Sequence, residues 1–361
     1  MEKSITKTHL GYTGSCYGPS PAVCKAMESS LGMANSYPYE GYTELKKAIA
    51  TYSKVKPENI MVTNGCDEAI ALITYMFGRR VLIQAPTYSE FERIARGSGS
   101  EIRIKEQSIA KAPFKISFSR TDLKWASLAW ICTPNNPTGD IIPRERILDI
   151  AGNAGGMVAV DEAYYEYCNK TVADSINDYK NLIVTRTFSK AFATEGVRLG
   201  YIISNPETIR ALENSTQEYN VNRIARTAGL AVFRSMGYYK KEMFKLKSKL
   251  IENATDNSGH FLNVRSGLGK DGISEAMQTI AGADGPITRM NCLYVSIENL
   301  ERIAEKGNTQ KAEDILESMQ LMAMWNSCDM HSFERLLAIS GPRKSYGRQT
   351  NLDRYLKLMR A

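Results

Sequence analysis

The chain has 361 residues, 43% of them apolar and 24% charged, with a net charge of +7; this is the profile of a soluble globular protein of about two or three domains. No apolar run approaches the ~20 residues a membrane helix needs, and the opening "MEKSITKTHLGYTG" lacks the apolar block of a secretory signal, so the expected location is the cytoplasm. The seven cysteines form no CxxC pair, and His9, His260 and His331 lie far apart, which points to reduced thiols and away from a metal site.

Taken in chain order, "YTELKKAIATYSKV" has helical periodicity and "NIMVT" reads as a short β-branched strand. "DEAIALITYMF" is a helix, "RRVLIQAP" a strand and "SEFERIARGSG" a helix. "LAWICTP" is then a strand, "RERILDIAGNAG" a helix, and "GMVAVDEAY", "NLIVTRTFS" and "GYIIS" are strands. Strands alternating with helices predict βαβ units and a mostly parallel sheet. Beyond them, "YYKKEMFKLKSKLIENATD" is a long amphipathic helix, and the glycine-rich segment 265–288 reads as a loop-rich insertion. "MNCLYVSI", "AEDILESMQLM" and "RLLAISG" make a smaller α/β unit. The tail concentrates positive charge (Arg335, Arg343, Lys344, Arg348, Arg354, Lys357, Arg360) without any nucleic-acid module. It reads as a solvated basic surface or a lure for small anions, and no nucleic-acid partner is expected.

In open parallel sheets ligands bind at the carboxyl ends of the strands, so the residues just after each strand carry the reading. After the first strand, Asn64–Gly65–Cys66–Asp67–Glu68 opens a helix whose N-terminus suits a phosphate, or is an ordinary capped start. After the second come Thr87 and Tyr88, a stacking platform or a half-buried tyrosine. "TPNNPTG" (133–139) is a rigid turn that aims an amide. Asp161 ends a buried apolar strand, where a carboxylate is costly unless it meets a cation or caps a helix, and Tyr164 follows it. Thr187, Ser189, Lys190 and Arg198 follow the next strand, as a site or as a solvated loop. Together these offer an amine, a buried carboxylate, a phenol, an amide, a ring face and a phosphate cradle. Those are the requirements of pyridoxal 5'-phosphate, PLP.

The strings "YGPSP", "SYP", "NGCDEAI", "PTY", "CTPNNPTG", "VDEAYYEY" and "TFSKAFATEGVRLGY" resemble the fold-type I PLP-dependent aminotransferases of class I/II, nearest the branch of histidinol-phosphate aminotransferases and threonine-phosphate decarboxylases. The resemblance implies a large PLP-binding domain at 36–250, an N-terminal segment at 1–35 packing with a smaller α/β C-terminal domain, and that domain at 251–361. By motif, Lys190 resembles the Schiff-base lysine, Asp161 the partner of the pyridinium nitrogen, and Tyr164 and Asn136 the pair on the ring oxygen. Tyr88 resembles the stacking aromatic; Gly65, Cys66, Asp67, Thr187, Ser189 and Arg198 resemble the phosphate ligands. Tyr37 resembles the tyrosine that reaches the phosphate of a neighbouring subunit, which implies a homodimer with shared sites.

Two places depart from the family. Thr13–Gly14–Ser15–Cys16 stands where an Asn-Glu-Asn-Pro string is usual, and Leu337 stands where an arginine usually grips the substrate anion, with Arg335 and Arg343 out of register. The expected activity is transfer of an amino group between an amino acid or amino-phosphate and a 2-oxo acid. The alternative is decarboxylation or elimination on an O-phospho amino acid.

Overall fold

In the computed structural model of the chain, residues 15, 17–107, 115–136 and 139–245 are described. Two helices come first. α1 (Pro21–Leu31) starts on Pro21, with the Ser20 hydroxyl accepting from the Val23 amide, and α2 (Thr43–Ser53) buries Leu45 and Ile49. β1 (Ile60–Thr63) then runs into α3 (Gly65–Phe77), and β2 (Arg80–Ala85) into α4 (Ser89–Gly97). β3 (Glu101–Glu106), α5 (Arg120–Trp125), β4 (Leu128–Cys132), α6 (Arg144–Asn153) and β5 (Met157–Asp161) follow. The last described elements are α7 (Tyr165–Cys168), β6 (Leu182–Thr187), β7 (Gly200–Ser204), α8 (Pro206–Glu213) and α9 (Arg223–Arg234), and residues 236–245 are again helical.

The seven strands form one sheet in the order β1-β7-β6-β5-β4-β2-β3. Every neighbouring pair is parallel except those made by β7, which runs antiparallel to both β1 and β6. β1, β4, β6 and β7 are buried along their whole length, as strands covered by helices on both faces must be. Alternate residues feed two apolar clusters. Ile131, Val160, Val184 and Tyr201 share one face with Leu45 and Ile49 of α2 and Val232 of α9. Ile83, Trp130, Ala159 and Ile202 share the other with Ile70 and Ile73 of α3, Phe91 of α4 and Ile209 of α8. The result is a three-layer α/β/α sandwich.

β3 is the strand the pattern did not announce. It alternates charged and apolar residues because it is the sheet's outer edge, and Arg103 and Lys105 both reach the buried Asp122 of α5. The long helix expected over 238–256 is helical as far as 245, where the described residues end. The glycine-rich segment 265–288, the small C-terminal domain with its limit at 250/251, Leu337, Arg335, Arg343 and the basic tail lie outside the described residues. Among the described residues no helix is long and apolar enough to cross a membrane, and no group of three or more potential metal ligands gathers.

Candidate active site

The carboxyl ends of β1, β4, β5 and β6 open on the same end of the sheet. Because β7 runs the other way, its start belongs there too: Gly200 is paired with both Thr63 and Thr187. That single reversal brings Arg198, two residues before β7, beside the first turn of α3. The approach needs glycine twice. Gly65 has φ +79°, and a Cβ there would lie 2.6 Å from Nη2 of Arg198. A Cβ on Gly200 would lie 2.7 Å from the Gly65 carbonyl carbon and 2.9 Å from the Cys66 amide nitrogen.

Asn64, which precedes α3, makes no side-chain cap, so its side chain takes up none of the first-turn N–H groups at Gly65, Cys66 and Asp67. Arg198 itself sits in the left-handed region at φ 59°, and its Nη2 donates to Oδ2 of Asp67 at 2.6 Å. Asp67 Oδ1 accepts from the Tyr88 hydroxyl at 3.2 Å. The ion pair that could have made Arg198 an ordinary surface residue therefore ties three of the expected residues together. The Thr187 hydroxyl lies 3.0 Å from that of Ser189 and accepts the Ser189 amide, both residues buried at the end of β6.

Asp161 is 3% exposed and has the same strand parity as Thr185 and Thr187, all on the α3 side of the sheet. The Thr185 hydroxyl (3.0 Å), the Ala163 amide (3.2 Å) and the Cys66 thiol (3.6 Å) all donate to its Oδ1. None of these bonds uses Oδ2. Burial pushes the carboxyl up to about 6 against the downward pull of those donors. Burial, with Asp161 beside it, also raises the Cys66 thiol well above its ordinary value, which keeps it protonated and able to donate. Thr185 is a site residue that the sequence reading passed over, although it stands two positions before Thr187 on one strand and so shares its face.

Tyr164 is buried, and Lys190 Nζ lies 5.7 Å from the centre of its ring. Asn136, at the end of the turn after β4, is 3% exposed, and its Oδ1 is buried without a partner among the described residues. Its neighbour Asn135 is committed elsewhere, accepting from the Thr87 hydroxyl and donating to the Pro86 carbonyl. Tyr88 sits edge-on to Phe91, which stacks on Trp130 at 4.7 Å, so its ring rests on the core. Burial and the nearby Asp67 charge raise its phenol. Tyr37 shares none of these contacts: its ring is 62% exposed and stacks on Tyr219 at 5.1 Å. One contact was not foreseen. The Tyr17 hydroxyl donates to the carbonyl of Ala191 at 2.8 Å and so pins the N-terminal segment beside Lys190.

Residues 6–262 match the family model described as aminotransferase class I and II. A histidinol-phosphate aminotransferase of Desulfitobacterium hafniense is 33% identical over 307 residues, covering 80% of this chain and 78% of its own. One from Thermoanaerobacter pseudethanolicus is 37% identical over 222 residues, covering 60% of this chain and 62% of its own length. Among solved structures, histidinol-phosphate aminotransferase from Sinorhizobium meliloti in complex with pyridoxal-5'-phosphate superposes with a TM-score of 0.61 at 26% identity, covering 69% of this chain and 71% of that one. L-Threonine-O-3-phosphate decarboxylase from Porphyromonas gingivalis shares the fold, with a TM-score of 0.58 at 24% identity over 70% of this chain and 75% of that one.

Proposed function

Since the chain belongs to aminotransferase class I and II, we propose that it is a PLP-dependent aminotransferase moving an amino group between an amino-phosphate donor of the histidinol-phosphate kind and a 2-oxo acid. Asp161 carries the reading. Three donors converge on its Oδ1 and none of them uses Oδ2, so a buried carboxylate keeps an acceptor for a cationic N–H. Asn136, 3% exposed beside the same strand ends, carries an amide N–H that suits the ring oxygen of PLP. When bound, PLP supplies a carbonyl carbon for an amine to join and a ring that absorbs electrons.

The chain's own residues divide the remaining work. Asp161 holds a proton on the ring nitrogen by its negative charge. Tyr164 and Asn136 hold the ring oxygen, and Tyr88 covers the ring face. The first-turn amides of α3, the Thr187 and Ser189 hydroxyls and the Arg198 guanidinium hold the phosphate. Lys190 Nζ would hold the cofactor's carbonyl carbon, and its free amine would take up the proton from the substrate Cα. Tyr37, exposed on one protomer, completes the phosphate site of a second copy, which makes the working unit a homodimer.

The test is an absorbance scan of the PLP-loaded protein while amino donors are added singly. A visible band that bleaches with histidinol phosphate and returns with a 2-oxo acid supports transamination. A band that persists while carbon dioxide or ammonia appears overturns it in favour of a lyase.

A further inference from the structure

A second charged group lies on the opposite face of the sheet from Asp161. Asp161 and Thr185 face α3; the next residues along the same strands, Glu162 and Arg186, face the other layer. Arg186 is 1% exposed and Glu162 fully buried, with Nε and Nη2 donating to Oε2 at 2.9 and 2.8 Å. Oε1 of Glu162 accepts the Val172 amide at 2.9 Å, and the Thr171 hydroxyl lies 2.8 Å from Oε2 and 2.7 Å from Arg186 Nη2. The Arg186 guanidinium rests 3.6 Å from the centre of the Tyr165 ring, and the Tyr52 hydroxyl of α2 donates to Glu166 at 2.9 Å. Residues on both sides of Tyr164 are thus held from below, while Tyr164 is the one beside Lys190.

Stability alone is a poor reason for this arrangement. Apolar residues of similar volume are often as good as a buried ion pair or better. What the pair supplies is a fixed path for the chain between residues 162 and 172. We propose that Glu162 and Arg186 are positioning residues that clamp this segment from the reverse face of the sheet and so hold Tyr164 against Lys190. The inference rests on the roles given to Lys190 and Tyr164 above.

Three variants test it: Glu162→Gln, Arg186→Lys and Thr171→Val. The last removes the hydroxyl between the two charges without stranding either, so it keeps the fold if the others do not. In the apoprotein, amide exchange over residues 162–168 is expected to rise by about tenfold while exchange in β1 stays unchanged. In the PLP-loaded protein, the pH midpoint of the visible band is expected to shift by about half a unit, and kcat to fall by about tenfold with little change in KM. A folded variant with wild-type exchange and midpoint overturns the proposal, and so does one that melts earlier with both unchanged, because the pair then serves stability alone. A wild-type protein with no visible band defeats the reading of Lys190, and the exchange measurement still decides the clamp.

Discussion

Asp161 is a buried carboxylate, and under the proposed function the pyridinium of PLP would be its counter-ion. Its pKa, raised by burial to about 6, lies above the ordinary carboxylate value. In the apoprotein the stability linked to Asp161 is therefore full below that ordinary value and is lost as pH rises through about 6. Thermal melts of the apoprotein from pH 4 to 8 should fall across this window, and Asp161→Asn should flatten the fall. PLP should do the same, since a cation beside the carboxylate favours its charged form. With PLP bound, Asp161→Asn should also lower kcat by roughly a hundredfold or more, because it removes the charge that holds the ring proton. Lys190→Ala should abolish the visible band and lower turnover by at least about a hundredfold, with an unchanged circular dichroism spectrum. A wild-type rate in that variant would remove the amine from the reaction.

At the scale of elements, α3 and β7 meet at backbone contact, and the site depends on that closeness. Gly65→Ala places a Cβ 2.6 Å from Arg198 and strains a positive φ, so PLP should dissociate at least about tenfold faster. On the reverse face, burial pushes Glu166 up to about 7 against the attraction of Arg186. Its contribution to stability is full below the ordinary carboxylate value and lost as pH rises through about 7. Melts of Glu166→Gln should be flatter than wild type over that interval. The elements around the site were legible because strands covered on both faces read as unbroken apolar runs, and because turn residues such as Gly65 and Asn136 punctuate them. β3 was not, since an edge strand carries charges where a central one carries valines. α8 and α9 were also missed. Both are amphipathic and carry ordinary start signals, Asn205 with Pro206 and Asn222, but they lie between the last site motif and the long helix that follows, where no chemistry drew the reading. Thr185, Glu162 and Arg186 escaped because their meaning lies in which face of a strand they occupy, and that needs the register between β5 and β6.

For the whole molecule, the exposed Tyr37 predicts complementation between copies. Lys190→Ala and Tyr37→Phe chains, mixed and refolded together, should give mixed dimers holding one intact site, and activity above the sum of the separate preparations. Equal activity would mean that each site is complete within one chain. The strand order bears on synthesis as well. β1 is at the sheet's edge with β7 as its neighbour, and 136 residues separate Thr63 from Gly200 (64–199). A nascent chain therefore carries an apolar strand without its neighbour while the whole parallel half is being made, an interval in which the strand can be captured by another chain. A ribosome-stalled fragment ending before Gly200 should hold the β2–β6 sheet, leave β1 open to protease, and bind chaperone until the reversed strand emerges to cover it.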